Sequence, residues 1–194
     1  MLITLDIETN TSHDKIWVVV TQDVDTGEVL EHYSGTTLAP LVSKATGVIG
    51  HNLIGFDAPV LYNVWNLTIP TGKQRDTLAM SRLWNPSLEG GHSLDSWGHP
   101  KIDFHDYDGG LSDEMVEYCR QDVALTTKLF KHLTDTLKRE EFSQQCVDLE
   151  EKVAIITARQ EQNGFQLDVE QATLLWVDLC HKMKQITESL QKVF

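Results

Sequence analysis

Five side chains in this sequence could do chemistry together: Asp6, Glu8, Asp57, Tyr118 and Asp122. Asp6 and Glu8 end the apolar run LITLDIETN, residues 2–10. In a strand, side chains two apart share a face, so these two carboxylates stand side by side. Like charges in a half-buried place repel each other and lose hydration. Asp57 closes HNLIGFD, just after the short apolar stretch GVIGHN. Asp122 falls in a helical pattern, on a stripe with Met115, Tyr118, Leu125 and Leu129. An isolated charge there is costly. Tyr118 precedes Asp122 by four residues, which makes the two side chains neighbours on a helix. No Lys or Arg stands out as a partner for Asp122. Four inward acids without nitrogen ligands suit hard divalent cations such as Mg²⁺ or Mn²⁺. Two such ions about 3.5–4 Å apart stabilise both the attacking and the leaving oxygen of a phosphodiester.

Taken singly, each residue has an ordinary reading. Asp57 could cap a helix, Tyr118 could be a core residue with a satisfied hydroxyl, and Asp122 could pair with an Arg. His51 and Asn52 read as groups that close a strand, and Asp76 and Arg82 as a cap and a surface pair. The order and spacing of the whole acidic set carry the chemical reading.

Positioning these residues requires a particular set of elements. Residues 2–7, 15–24 and 27–34 read as strands, with a turn at Asp25-Thr26-Gly27. Residues 36–45 read as a short helix, 47–52 as a buried strand and 57–65 as a helix that tolerates Pro59 in its first turn. Asp76 looks like the N-cap of TLAMSRLW. Two irregular stretches follow, 85–93 and 98–110. Ser112 then caps a long helix whose first turn carries Asp113 and Glu114. Three strands followed by strand–helix alternation imply an α/β fold, a mixed β-sheet flanked by helices. Strand ends and helix starts are the natural sites in such a sheet, and there the acids fall. Composition shifts near residue 140. Two helices, 148–163 and 169–192, split at Asn163-Gly164-Phe165, read as a C-terminal helical appendage. The expected division is residues 1–145 for the mixed domain and 146–194 for the helical segment.

With 194 residues the chain can bury one good core. It has no membrane-spanning run and no N-terminal signal pattern, so a cytoplasmic protein with no membrane partner is expected. The three cysteines, Cys119, Cys146 and Cys180, are far apart and form no metal-binding spacing. A net charge of −13 argues against a protein built to grip long duplex DNA non-specifically. Contact with a few nucleotides is still permitted where cations sit between acids and phosphate.

The motifs D6-I-E8, N52-x3-F56-D57 and Y118-x3-D122 resemble, in order, the three exonuclease motifs of the DEDD superfamily. It is the tyrosine subgroup, because the histidine version needs His five residues before Asp122 and that position is Glu117. HNLIGFD, RDTLAMSRLW, HSLDSWG and YCRQDVALT resemble, in sequence order, the proofreading exonuclease domain of family A DNA polymerases of short-tailed phages. ARQEQNGFQLD, residues 158–168, resembles the passage from exonuclease into polymerase in those enzymes. The sequence lacks the palm, fingers and thumb of those enzymes, so it is expected to be an excised domain of a longer polymerase, or else a separately encoded exonuclease part, and residues 98–110 are expected to be shorter than in the best-known relatives.

This resemblance implies a ribonuclease H-like fold and a 3′→5′ exonuclease with two divalent ions, Mg²⁺ or Mn²⁺. Asp6 is implied to bridge both ions, Glu8 and Asp122 to complete the site of the ion that carries water, and Asp57 to hold the second. Tyr118 is implied to orient the nucleophile. Thr9, Asn52 and Phe56 are implied to bind the last nucleotide. The implied partners are a single-stranded DNA 3′ end and a polymerase domain, in the same chain or a separate subunit. A monomer is expected, in the host bacterial cytoplasm if the gene is viral. Two other readings stay open: a tyrosine-type relative that trims RNA, and a non-catalytic domain that docks on a polymerase.

Overall fold

A computed structural model describes residues 1–98 and 109–192. Five strands form one sheet: β1 (Leu2–Thr9), β2 (Ile16–Asp23), β3 (Val29–His32), β4 (Gly47–Gly50) and β5 (Gln74–Asp76). Their order is β3-β2-β1-β4-β5. β1 pairs antiparallel with β2 and β2 antiparallel with β3, while β1 with β4 and β4 with β5 are parallel. The sheet is therefore mixed, with β1 at its centre and the parallel part on one side.

Alternation along β1 sorts its side chains. Ile3, Leu5 and Ile7 join the core that α1 (Gly35–Lys44) and α2 (Asp57–Trp65) build with Leu38, Val42, Val60 and Leu61. Thr4, Asp6 and Glu8 alternate with them and so point to the opposite face. That face is covered by α4 (Asp113–Arg139), where Val18 and Val20 pack against Cys119 and Val123. The Thr127 hydroxyl donates to that of Thr4 at 2.8 Å, which pins α4 across β1. A third cluster joins Met80 of α3 (Thr77–Trp84) to Leu129, Leu133 and Leu137 of α4 and Val147 of α5 (Gln144–Asn163).

The buried stripe of α4 differs from the sequence expectation. It runs through Met115, Cys119, Asp122, Thr126, Leu129, Leu133 and Leu137, with Tyr118 only half-buried at its edge. The reason is the polar face of β1 beneath it: Thr127, rather than Leu125, meets Thr4. The strand β5 was not expected at all. It has three residues, two of them charged, and exists through its parallel pairing with Val48, Ile49 and Gly50. Asp76 is the cap of α3 as expected, but it is 3% exposed rather than a surface residue. The irregular stretch expected at 98–110 lies, apart from residues 98, 109 and 110, outside the described residues.

Two compact units are present, Met1–Arg159 and Gln160–Phe194. Most of α5 belongs to the first. The Arg75 guanidinium of β5 lies 3.0 Å from the Glu151 carboxylate of α5 and ties the helix to the sheet edge. The second unit holds α6 (Val169–Gln191), capped by Asp168, which accepts from the Gln171 N–H. No residue of α6 is buried. Among the described residues no helix is long and apolar enough to cross a membrane.

Candidate active site

The central strand delivers the first two acids. β1 runs past the end of β4, since their pairing covers only Leu2 to Thr4. The rest of β1 is left open on that side, and Asp57 occupies the opening. Its carboxylate accepts the N–H of Ile7, between Asp6 and Glu8, and its own backbone N–H. Asp57 is the first residue of α2 and not its cap; Phe56 holds that position, with no side-chain capping bond. The fourth acid, Asp122, comes down from α4 onto the same face. Glu8, Asp57 and Asp122 are 5%, 3% and 7% exposed, so three carboxylates lie in a place where water cannot disperse their charge.

The electrostatic consequence is uniform in sign. Burial, then repulsion from Asp57, Asp122 and Glu8, holds the Asp6 carboxyl well above the usual range. Burial, then Asp122 and Asp57, pushes Glu8 up to about 8. Burial, with added repulsion from Asp76 and Asp122, pushes Asp57 up to about 8, against two backbone donors that pull it down. Asp122 thus raises Asp6, Glu8 and Asp57 alike, as a charge close to all three does. Such a set ionises at neutral pH when positive charge enters among it. The donor atoms are all hard oxygens, which fits Mg²⁺ or Mn²⁺.

A cavity of about 430 Å³ opens over this cluster, lined by Asp6, Glu8, Thr9, Phe56, Tyr118 and Asp122, with His13 at its rim. That volume lies in the range of ligand pockets, roughly 300–1,000 Å³. Thr9 and Phe56 thus line the same cavity as the acids. Asn52 does not line the cavity; it is exposed, with a left-handed φ of 65°, and belongs to the turn before α2. A larger hollow of about 510 Å³ beside α1 has no cluster of acids, and its Lys73 ammonium is spent on the carbonyls of Val42 and Ser43.

Sequence reading missed two residues here. Cys119 is fully buried, and its thiol lies 3.4 Å from both the carbonyl and a carboxylate oxygen of Asp6. One ligand atom each from Asp6, Glu8 and Cys119 lie within 4.8 Å of one another. Its place immediately after Tyr118 was the available signal. His13 has a left-handed φ of 55° and closes the β1–β2 turn. Its Nδ1 lies 2.9 Å from the Thr9 hydroxyl and its ring meets Phe56 edge-on at 4.9 Å.

No family model matches the chain. It is 25% identical to the DNA-directed DNA polymerase of Escherichia phage T7 over 212 aligned positions, which cover 79% of this chain and 30% of the polymerase. The same figures hold for the polymerase of Enterobacteria phage T3. The chain thus spans under a third of the length of these relatives. Among solved structures it is similar to Brucella melitensis NrnC bound to pGG, with a TM-score of 0.65 and 21% identity, over 87% of this chain and 88% of that one. The mixed sheet with helices on both faces is the architecture they share. The chain is similar in sequence to part of the phage T7 and T3 DNA polymerases, and its fold is a ribonuclease H-like mixed sheet flanked by helices.

Proposed function

We propose that this chain is a metal-dependent 3′→5′ exonuclease that removes nucleotides from single-stranded or frayed DNA 3′ ends. The observation that carries the reading is the convergence of Asp6, Glu8, Asp57 and Asp122 in one desolvated cluster under a cavity that Tyr118 also lines. Bound divalent ions supply charge stabilisation for the attacking and leaving oxygens of a phosphodiester, and a water of lowered pKa. The four carboxylates would hold those ions. The Tyr118 hydroxyl, at the cavity wall, orients the attacking water by hydrogen bond. Thr9 and Phe56 wall the space for the terminal nucleotide, where an aromatic face supplies sequence-tolerant stacking. A net charge of −13 leaves little grip on duplex, so a 3′ end that is already unpaired is the favoured substrate. Similarity to two DNA polymerases supports DNA as the substrate and proofreading as the context, with a polymerase domain as partner.

A second reading has one observation in its favour: NrnC, whose fold this chain shares, was solved bound to pGG. On that reading the chain trims short RNA ends with the same acids. Digestion of 5′-labelled DNA and RNA oligonucleotides of one sequence separates the two, with a mismatched DNA primer alongside. We expect a stepwise ladder from the 3′ end of DNA, faster at the mismatch, present with magnesium and absent with chelator. Internal fragments, or cleavage that persists in chelator, would overturn the proposal; preference for RNA would favour the second reading.

A further inference from the structure

A fifth carboxylate, Asp76, is buried beside the site and touches none of the cavity. Its Oδ1 accepts the backbone N–H groups of Asn52 at 3.0 Å and Leu78 at 2.9 Å, and its Oδ2 accepts that of Ile54 at 2.9 Å. One of these bonds caps α3. The other two reach across to the turn between β4 and α2. That turn is tight: Asn52 is left-handed, the N–H groups of Gly55 and Phe56 both reach the Asn52 carbonyl, and a Cβ on Gly55 would sit 2.5 Å from Asn52 Oδ1. Its last step is Asp57. The β4–β5 pairing sets Gly50 opposite Asp76 and so fixes the acceptor under the turn.

We propose that Asp76 is a positioning residue of the nuclease. By clamping the N–H groups of Asn52 and Ile54, it fixes the turn that delivers the Asp57 carboxylate to β1. A buried acceptor of several N–H groups is a strong, directional anchor, and partners that orient a ligand are typically worth roughly 10–100-fold in metal affinity. Burial holds the Asp76 carboxyl above its usual range, and its backbone donors, Ile54 first, limit the rise. The inference rests on the metal-dependent reading above and goes further by giving the second ion's ligand its support.

The test is Mn²⁺ binding to the metal-free protein without DNA, followed by electron paramagnetic resonance, on wild type and two variants. Asp76→Asn keeps shape and one acceptor oxygen. Asp76→Ser keeps the α3 cap, since Ser caps as well as Asp, but is too short to reach the turn. We expect two ions on wild type. In both variants one ion should bind as before and the other about 10–100-fold more weakly. For the DNA ladder, kcat should fall and be partly restored by raised Mn²⁺, with KM unchanged. If Asp76→Asn does not fold, Asp76→Ser carries the comparison. Wild-type affinity for both ions in a folded variant, with only the melting temperature lowered, would reduce Asp76 to a cap. No Mn²⁺ on wild type would instead defeat the metal-dependent reading itself.

Discussion

At the scale of single residues, Tyr118 and Asp122 lie one helical turn apart and do different work. Asp122 is 7% exposed and enters the field of the other acids, whereas half-buried Tyr118 faces the cavity. Asp122→Asn and Asp6→Asn are therefore expected to drop magnesium-dependent cleavage below detection. Tyr118→Phe should keep a measurable part, with a loss of roughly 10²–10⁴-fold, the usual worth of a positioned acid–base group. Single-turnover digestion of labelled primer measures this; equal loss in all three variants would give Tyr118 a larger part than orientation. Asp6, Glu8, Asp57 and Asp122 were legible from sequence because buried acids in an apolar pattern demand an explanation. Cys119 and His13 were not. A cysteine in a buried helix stripe looks like packing, and a turn histidine shows its contacts only once the chain has folded back on Thr9 and Phe56.

Among elements, the edge strand β5 is the piece that sequence reading lost. Gln74, Arg75 and Asp76 have no strand character, and pairing with β4 alone makes them one. The long, strongly periodic elements came through: β1, β2 and α6 lie within a few residues of their expected bounds, and α4 starts after Ser112 as expected. The first part of α5 is held to the main unit, which extends to Arg159. The Arg75–Glu151 pair explains why. Glu151 is 6% exposed, and burial pushes its carboxyl up to about 7 even with Arg75 pulling it down. Removing the cation leaves a buried acid uncompensated, typically about 3–5 kcal/mol where burial is complete and less at this half-open site. Arg75→Met should therefore destabilise by about 1–3 kcal/mol at pH 8. At pH 5 the cost should shrink, because Glu151 can then take up a proton in the folded state. Denaturant midpoints at the two pH values measure the difference; an equal cost at both would place the origin in packing rather than charge.

For the molecule as a whole, the acid cluster makes stability depend on pH and on cations together. Glu8 and Asp57 titrate at about 8 when folded, far above the roughly 4 of unfolded chains. Between those values the folded state binds more protons, so stability is full below pH 4 on their account and falls as pH rises towards 8. Metal-free protein should thus melt lower at pH 8 than at pH 6. Magnesium should reverse the order, since cations prefer the ionised acids. Calorimetry in chelator and in magnesium tests both signs, and a shift of about 2–4 °C corresponds to 1 kcal/mol in a domain of this size. Other carboxylates with lowered values, such as Glu31 beside Tyr33 and Arg120, oppose the trend only in the acid range.

The way α4 closes over β1 also sets a time order. Chain up to Trp97 can lay down all five strands and already carries Asp6, Glu8 and Asp57. It still lacks the last carboxylate and the tyrosine, which arrive only on the helix that seals the open sheet face. Contacts so distant along the chain form late. During synthesis, then, the four acids and the tyrosine come together only in the event that completes the fold.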